Sequence, residues 1–145
     1  MIRAFDKSDL DKFERDDNPD SQLMGCVDTE LSAQLYDKGI TMTWINGNGE
    51  ILGIGGVLPF WKGSGEAWMS VSKEGRKNPL KLLKDTQWFL DYLFKKEGFR
   101  RIQCSIDYSY PTAHRFILRC NFIPESTMFN YGPNGEHFVR YVRFS

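Results

Sequence analysis

The spacing of apolar residues changes several times along the chain, and each change marks an element. Ile2 to Phe5 reads as a short opening strand. Ser8 is placed to cap a helix with Asp9 and Asp11 in its first turn, and Leu10 and Phe13 give that helix an apolar face. Asp16-Asp17-Asn18-Pro19-Asp20-Ser21 is a loop by composition, and a second helix is expected from about Ser21 or Asp28 to Tyr36, ending near Gly39. Three strands follow: Ile40 to Ile45, Glu50 to Phe60 and Glu66 to Ser72. Asn46-Gly47-Asn48-Gly49 and Lys62-Gly63-Ser64-Gly65 are the turns between them. Gly53, Gly55 and Gly56 inside the middle strand point to bulges or close backbone approach.

Asn78 to Glu97 carries the clearest helical period. Leu83, Thr86, Leu90, Leu93 and Phe94 share one face; Lys81, Lys84, Asp91 and Lys95 share the other. Asn78 and Pro79 suit its start and Gly98 its end. Arg101 to Tyr108 is a strand, and Tyr110-Pro111 opens a short helix with Ala113, Phe116 and Ile117 that closes at Asn121. Two last strands, about Ser126 to Tyr131 and His137 to Phe144, are joined by Gly132-Pro133-Asn134-Gly135. The order predicts one α/β (α+β) domain over residues 1–145, a mixed and mainly antiparallel sheet with helices on its faces.

Composition narrows the chemistry. The 19 basic and 19 acidic side chains cancel, so no nucleic-acid partner is expected. The three cysteines, Cys26, Cys104 and Cys120, have no metal or disulfide spacing; buried, inert thiols in a reducing compartment are the reading. No stretch is apolar for long enough to span a membrane, and the N-terminus has no signal core, so a cytoplasmic protein is expected. There is no Gly-x-Ser-x-Gly elbow, phosphate loop or His-Glu-x-x-His helix, and Gly53-x-Gly55-Gly56 lies within a strand, where a dinucleotide fingerprint does not belong.

The run Tyr110 to Phe122 fits the frame Asn-x-x-Ala-x-x-x-Tyr-x-x-x-Gly-Phe through Ala113 and Phe122, with Asn121 in the place of the glycine. With the element order, this resembles the GNAT superfamily of N-acetyltransferases over nearly the whole chain. Ile2-Arg3, Ile54-Gly55-Gly56, Glu66-Ala67-Trp68-Met69 and His114-Arg115-Phe116 look like the small GNAT-like internal virion proteins of short-tailed phages. The chain departs from the family in two places. Arg76-Lys77-Asn78-Pro79-Leu80-Lys81 stands where the family has Gln/Arg-x-x-Gly-x-Gly/Ala, and Ile117 stands where many members carry a tyrosine.

The resemblance implies acetyl-CoA as acyl donor and an amine, on a protein or small molecule, as acceptor. Pyrophosphate would lie at the long helix's N-terminus among Arg76, Lys77, Asn78, Leu80 and Lys81, and backbone N–H groups near Met69 and Val71 would hold pantetheine where two strands splay. Glu66 or Asp107 could act as base, and Tyr108 or Tyr110 as the acid in place of the missing tyrosine. His114 reads as solvent-facing or structural, and His137 has no motif around it. Trp61, Trp68, Tyr108 and Tyr110 could line an acceptor groove, or the tryptophans could simply be core. The alternative is a domain that keeps the fold without catalysis: a phage virion or assembly protein, or an inhibitor of a host protein.

Overall fold

The computed structural model describes residues 1–16 and 39–145, and the expected second helix lies outside them, as does Cys26. In order the elements are β1 (Ile2–Ala4), α1 (Asp9–Lys12), β2 (Ile40–Ile45), β3 (Ile51–Trp61), β4 (Ser64–Val71), α2 (Lys73–Arg76), α3 (Pro79–Lys96), β5 (Arg101–Asp107), α4 (Pro111–Arg119), β6 (Ile123–Met128) and β7 (Phe138–Phe144). The strands form a seven-stranded sheet in the order β1-β2-β3-β4-β5-β7-β6. Every neighbouring pair is antiparallel except β4 with β5, which is parallel. A parallel pair needs a crossover, and α2 and α3 supply it.

The main core lies where α3 and α4 cover the sheet. Leu82, Phe89, Leu90 and Leu93 of α3 and Ala113 and Ile117 of α4 join Trp44, Leu52, Val57, Met69, Ile102, Cys104 and Phe122 in one cluster. A smaller cluster holds Ile51, Ile54 and Trp68 against Leu10 of α1 and Phe13. The buried stripe of α3 is Leu82, Thr86, Phe89, Leu90 and Leu93, centred about one residue earlier than the sequence period predicts, with Leu83 and Phe94 at its margin. Burial pushes both thiols up, Cys104 well above its ordinary value and Cys120 to about 12, so neither is a nucleophile.

Close strand packing explains part of the glycine pattern. A Cβ at Gly56 would sit 1.9 Å from the Ile40 carbonyl oxygen, which leaves no room for a side chain. Between Trp44 and Ile45 the β2–β3 register shifts and Leu52 becomes the extra, bulged residue.

Three local expectations are corrected, and one element is added. Ser8 makes no side-chain cap; its hydroxyl donates to Asp6, and Asp9 is a buried ion-pair partner of Arg3 rather than a helix-dipole residue. The β3–β4 turn is only Lys62-Gly63, because Ser64 already pairs with Trp61. The basic run 73–76, which no sequence period marks as an element, is a helical turn, α2, capped by Ser72, whose hydroxyl accepts from the Gly75 N–H at 2.9 Å. β6 begins at Ile123 and ends at Met128, three residues earlier than predicted. It is the edge strand, where Pro124 costs no ladder bond, and the aromatic stretch Phe129 to Tyr131 lies in the following loop.

Candidate functional site

The sheet opens between β4 and β5. Only Ser64–Arg101, Gly65–Ile102 and Glu66–Gln103 pair, and beyond Glu66 and Gln103 the two strands no longer bond to each other. The alternation of backbone groups then decides what faces the gap. The Ser72 N–H donates to Leu52 on β3, whereas the Val71 carbonyl accepts from the Asp16 N–H at 3.1 Å. Val71 and, two residues back, Met69 therefore turn their backbone groups away from β3; the Val71 carbonyl is taken by Asp16, and Met69 faces the opening.

One wall was not legible in the sequence. Arg15 forms an antiparallel bridge with Ser72, and the Lys73 N–H donates to the Glu14 carbonyl at 3.0 Å. The segment Glu14 to Asp16 thus continues the sheet alongside the far end of β4, fixing the width of the opening there. Nothing in its composition signals a strand; the bridge exists because α1 delivers the chain to that edge.

The helical turn α2 and the start of α3 lie at the mouth of the opening. Much of the backbone here is already committed. The N–H groups of Gly75, Arg76, Lys77 and Asn78 donate to the Ser72 hydroxyl and to the carbonyls of Ser72, Glu74 and Gly75 respectively. Pro79 has no N–H, and the Asn78 side chain donates to the Glu74 carbonyl instead of capping α3. Leu80 and Lys81 carry the first-turn N–H groups that helix geometry leaves for an anion. The cations are each matched by an acid: Lys73 with Glu14, Arg76 with Asp16, Lys77 with Glu74 and Lys81 with Asp85. The Lys73–Glu14 and Lys77–Glu74 pairs are solvent-exposed and each contributes under about 1 kcal/mol, so a diphosphate can replace a carboxylate there, whereas the Asp16 side chain that holds Arg76 is only 10% exposed.

Glu66 stands at the vertex, on the last residue before the strands part. Gln103 donates its amide Nε2 to Glu66 Oε2 at 3.0 Å, and the Gln103 carbonyl oxygen accepts from Arg101 at 2.9 Å. Arg101 in turn clamps Glu125 with both guanidinium nitrogens, at 2.7 and 2.6 Å. That chain of contacts spans β4, β5 and β6, and the Arg101 guanidinium holds the Glu125 carboxyl below its usual range. Gln103 was missed as a positioning residue because its partner lies 37 residues away in sequence.

The predicted acids separate. Tyr108 is 65% exposed just past the end of β5, and Tyr110 packs against the main core at the start of α4. Ile117 is fully buried in that core. Asp107 accepts from the backbone N–H and the hydroxyl of Ser109, forming the turn after β5. His114 is structural: its Nδ1 lies 2.7 Å from the Tyr141 hydroxyl and its Nε2 lies 2.9 Å from the Asp107 carbonyl, so Nε2 donates and Nδ1 accepts. His137 Nδ1 accepts from the Asn130 N–H in the β6–β7 loop. The four aromatics do not form one groove, since Trp68 belongs to the small cluster, Tyr110 to the main core, and Trp61 and Tyr108 are exposed. Among the described residues no group of His, Cys, Asp and Glu could hold a metal, and no helix is long and apolar enough to cross a membrane.

No protein-family profile and no curated protein matches the chain. Solved structures do match its fold. Spermidine N-acetyltransferase from Vibrio cholerae in complex with CoA and spermine aligns with a TM-score of 0.78 at 14% identity, covering 99% of this chain and 94% of that one. The ribosomal-protein-S5-alanine acetyltransferase from Vibrio fischeri aligns with a TM-score of 0.76 at 12% identity, covering 99% and 91%. The chain has the GNAT fold.

Proposed function

We propose that the protein is an acetyl-CoA-dependent N-acetyltransferase acting on an amine. The observation that carries this reading is the parting of β4 and β5 directly after Glu66 and Gln103, in a fold shared over 99% of the chain with a structure containing CoA. Acetyl-CoA would lie in that opening, with pantetheine along Met69 and Val71 and its diphosphate at Leu80 and Lys81, facing Arg76 and Lys77. The thioester carbonyl then sits near the vertex. Glu66, held by Gln103, takes a proton from the incoming ammonium, directly or through one water. The neutral nitrogen attacks the carbonyl carbon, the N–C bond forms and the C–S bond breaks. Backbone N–H groups of β4 stabilise the oxyanion between these events. The CoA thiolate takes its proton from Tyr110, Tyr108 or solvent, and the nitrogen loses its second proton, leaving an amide and free thiol.

A second reading rests on a specific observation: the usual tyrosine is replaced by a buried isoleucine, and the loop's N–H donors are spent internally. On that reading the fold persists as a non-catalytic protein, such as a phage virion or assembly component or an inhibitor of a host protein. Calorimetric titration with acetyl-CoA, repeated on Arg76→Ala, separates the two. Micromolar binding weakened several-fold by the substitution supports the enzyme. The absence of both binding and amine-dependent thiol release overturns it in favour of the second reading.

A further inference from the structure

Beside Glu66 the sheet face turned away from α3 and α4 carries a cationic groove of about 480 Å³, walled by Phe60 and Trp61 and lined by Arg100, Arg101, Gln103 and Arg140. Register places its residues. Gln103 faces Val142 and Ser105 faces Arg140 across β5 and β7, so Gln103, Ser105 and Arg140 share one face of the sheet. Cys104 and Tyr141, on the alternate positions, belong to the core on the opposite face.

The cations of this groove are not equivalent. Arg101 is spent on Glu125 and Gln103, and Arg100 donates to the Lys62 carbonyl at 2.8 Å. Among the described residues Arg140 donates no hydrogen bond; its Nε is buried and unpaired. Its cross-strand neighbour Ser105 is 5% exposed, and its hydroxyl is also buried without a partner. Buried polar groups are nearly always paired. Ser105 does not line the groove, but Arg140 does, and its terminal nitrogens, uncommitted among the described residues, match an oxyanion, which a guanidinium can hold with two parallel hydrogen bonds. The nearest carboxylates are already engaged, Glu125 by Arg101 and Glu66 by Gln103.

We propose that this groove seats the anionic end of the acceptor, so that the enzyme acetylates amines that also carry a carboxylate or phosphoryl group. The inference rests on the acetyl-transfer reading above and specifies its substrate class. The anion lies against Arg140, the amine reaches Glu66 at the vertex, and Trp61 covers the stem between them. A polycationic amine meets three arginines here and is disfavoured.

The test compares kcat/KM for four amines sharing one aminoethyl unit: ethanolamine, β-alanine, O-phosphoethanolamine and ethylenediamine. An anionic acceptor is expected to exceed ethanolamine by about tenfold or more, as befits one charge-assisted hydrogen-bonded pair, with ethylenediamine the poorest. Whichever of β-alanine and O-phosphoethanolamine is faster identifies the anion. Arg140→Gln should bring the ratio of anionic to neutral acceptor toward one, and Arg140→Lys, which keeps the charge but loses the two-pronged contact, should lower it several-fold and carries the comparison if Arg140→Gln does not fold. Equal rates across the series, or a preference for ethylenediamine, overturn the proposal. If no amine is turned over, the groove is judged by binding alone, and the acetyl-transfer reading fails as well only where acetyl-CoA does not bind. Tryptophan fluorescence titrated with O-phosphoethanolamine and β-alanine then shows saturation lost in the variants if the anion site exists, and no saturation if it does not.

Discussion

Asp9→Asn probes the contact that docks α1 on the sheet and leads the chain to the wall at Glu14 to Asp16. Asp9 is 1% exposed. Its carboxylate accepts from Arg3 at 2.8 and 2.7 Å, from the Asp6 N–H at 3.0 Å and from the Thr43 hydroxyl at 2.8 Å. The Arg3 guanidinium foremost, with the Asp6 and Thr43 donors, outweighs burial and lowers the Asp9 pKa from 3.8 to about 2. At about 1.4 kcal/mol per pH unit, the ionised carboxylate contributes about 2 kcal/mol to the native state. That figure is an upper one, because the Arg3 side chain is 39% exposed and water screens it. A carboxyl with a depressed native pKa is protonated first in the unfolded chain. Its stabilisation is therefore complete above about pH 4 and is lost as pH falls through about 2. Asparagine does not titrate there, so the difference between the two proteins isolates Asp9 from every other carboxyl. Urea unfolding followed by tryptophan fluorescence should give a difference approaching 2 kcal/mol at about pH 7 and about pH 5, shrinking to less than half near about pH 2. A difference that stays constant across this range would refute the electrostatic account, and one below about 0.5 kcal/mol at neutral pH would refute the geometry, since such a value is ordinary for a surface substitution.

Two further outcomes follow from the site. Gly75→Ala would place a Cβ 1.9 Å from the Leu52 carbonyl oxygen and 2.8 Å from a Val71 methyl; backbone cannot yield cheaply, so thermal unfolding should show a loss of about 1–3 kcal/mol, and an unchanged melting temperature would contradict the packing of α2 on β3. Glu66→Gln keeps the shape at the vertex but removes the base, so kcat/KM at neutral pH should fall by about 100-fold and recover as rising pH deprotonates the amine. Unaltered activity in that variant would move the base elsewhere.

The elements were legible because their signals are local. The period of α3, the stop at Gly98 with its φ of 73°, and the turn at Asn121 with its φ of 65° each depend on a few neighbouring residues. The boundaries of β6 were not, because an edge strand buries little and its register is set by β7. Ser72 before the basic run was an available cap signal, three residues ahead of Gly75, and reading it would have revealed α2. The frame Tyr110 to Phe122 led to the correct fold through residues with structural duties: Ala113, Ile117 and Phe122 pack into the core, and Asn121 supplies the left-handed turn.

By itself the sequence determined the element order and the mixed sheet, since each follows from periodicity or turn chemistry; the candidate residues Glu66, Met69, Val71, Arg76, Lys77, Asn78, Leu80 and Lys81 came from the resemblance to the GNAT superfamily. Tertiary structure alone decided which strands part after Glu66, that Glu14 to Asp16 wall the opening, that Gln103 holds Glu66, and that Arg140 lines the groove beside Gln103. The physical reason is sequence distance: hydrogen bonds, charge pairing and burial act over a few ångströms in space, and these partners lie tens of residues apart along the chain.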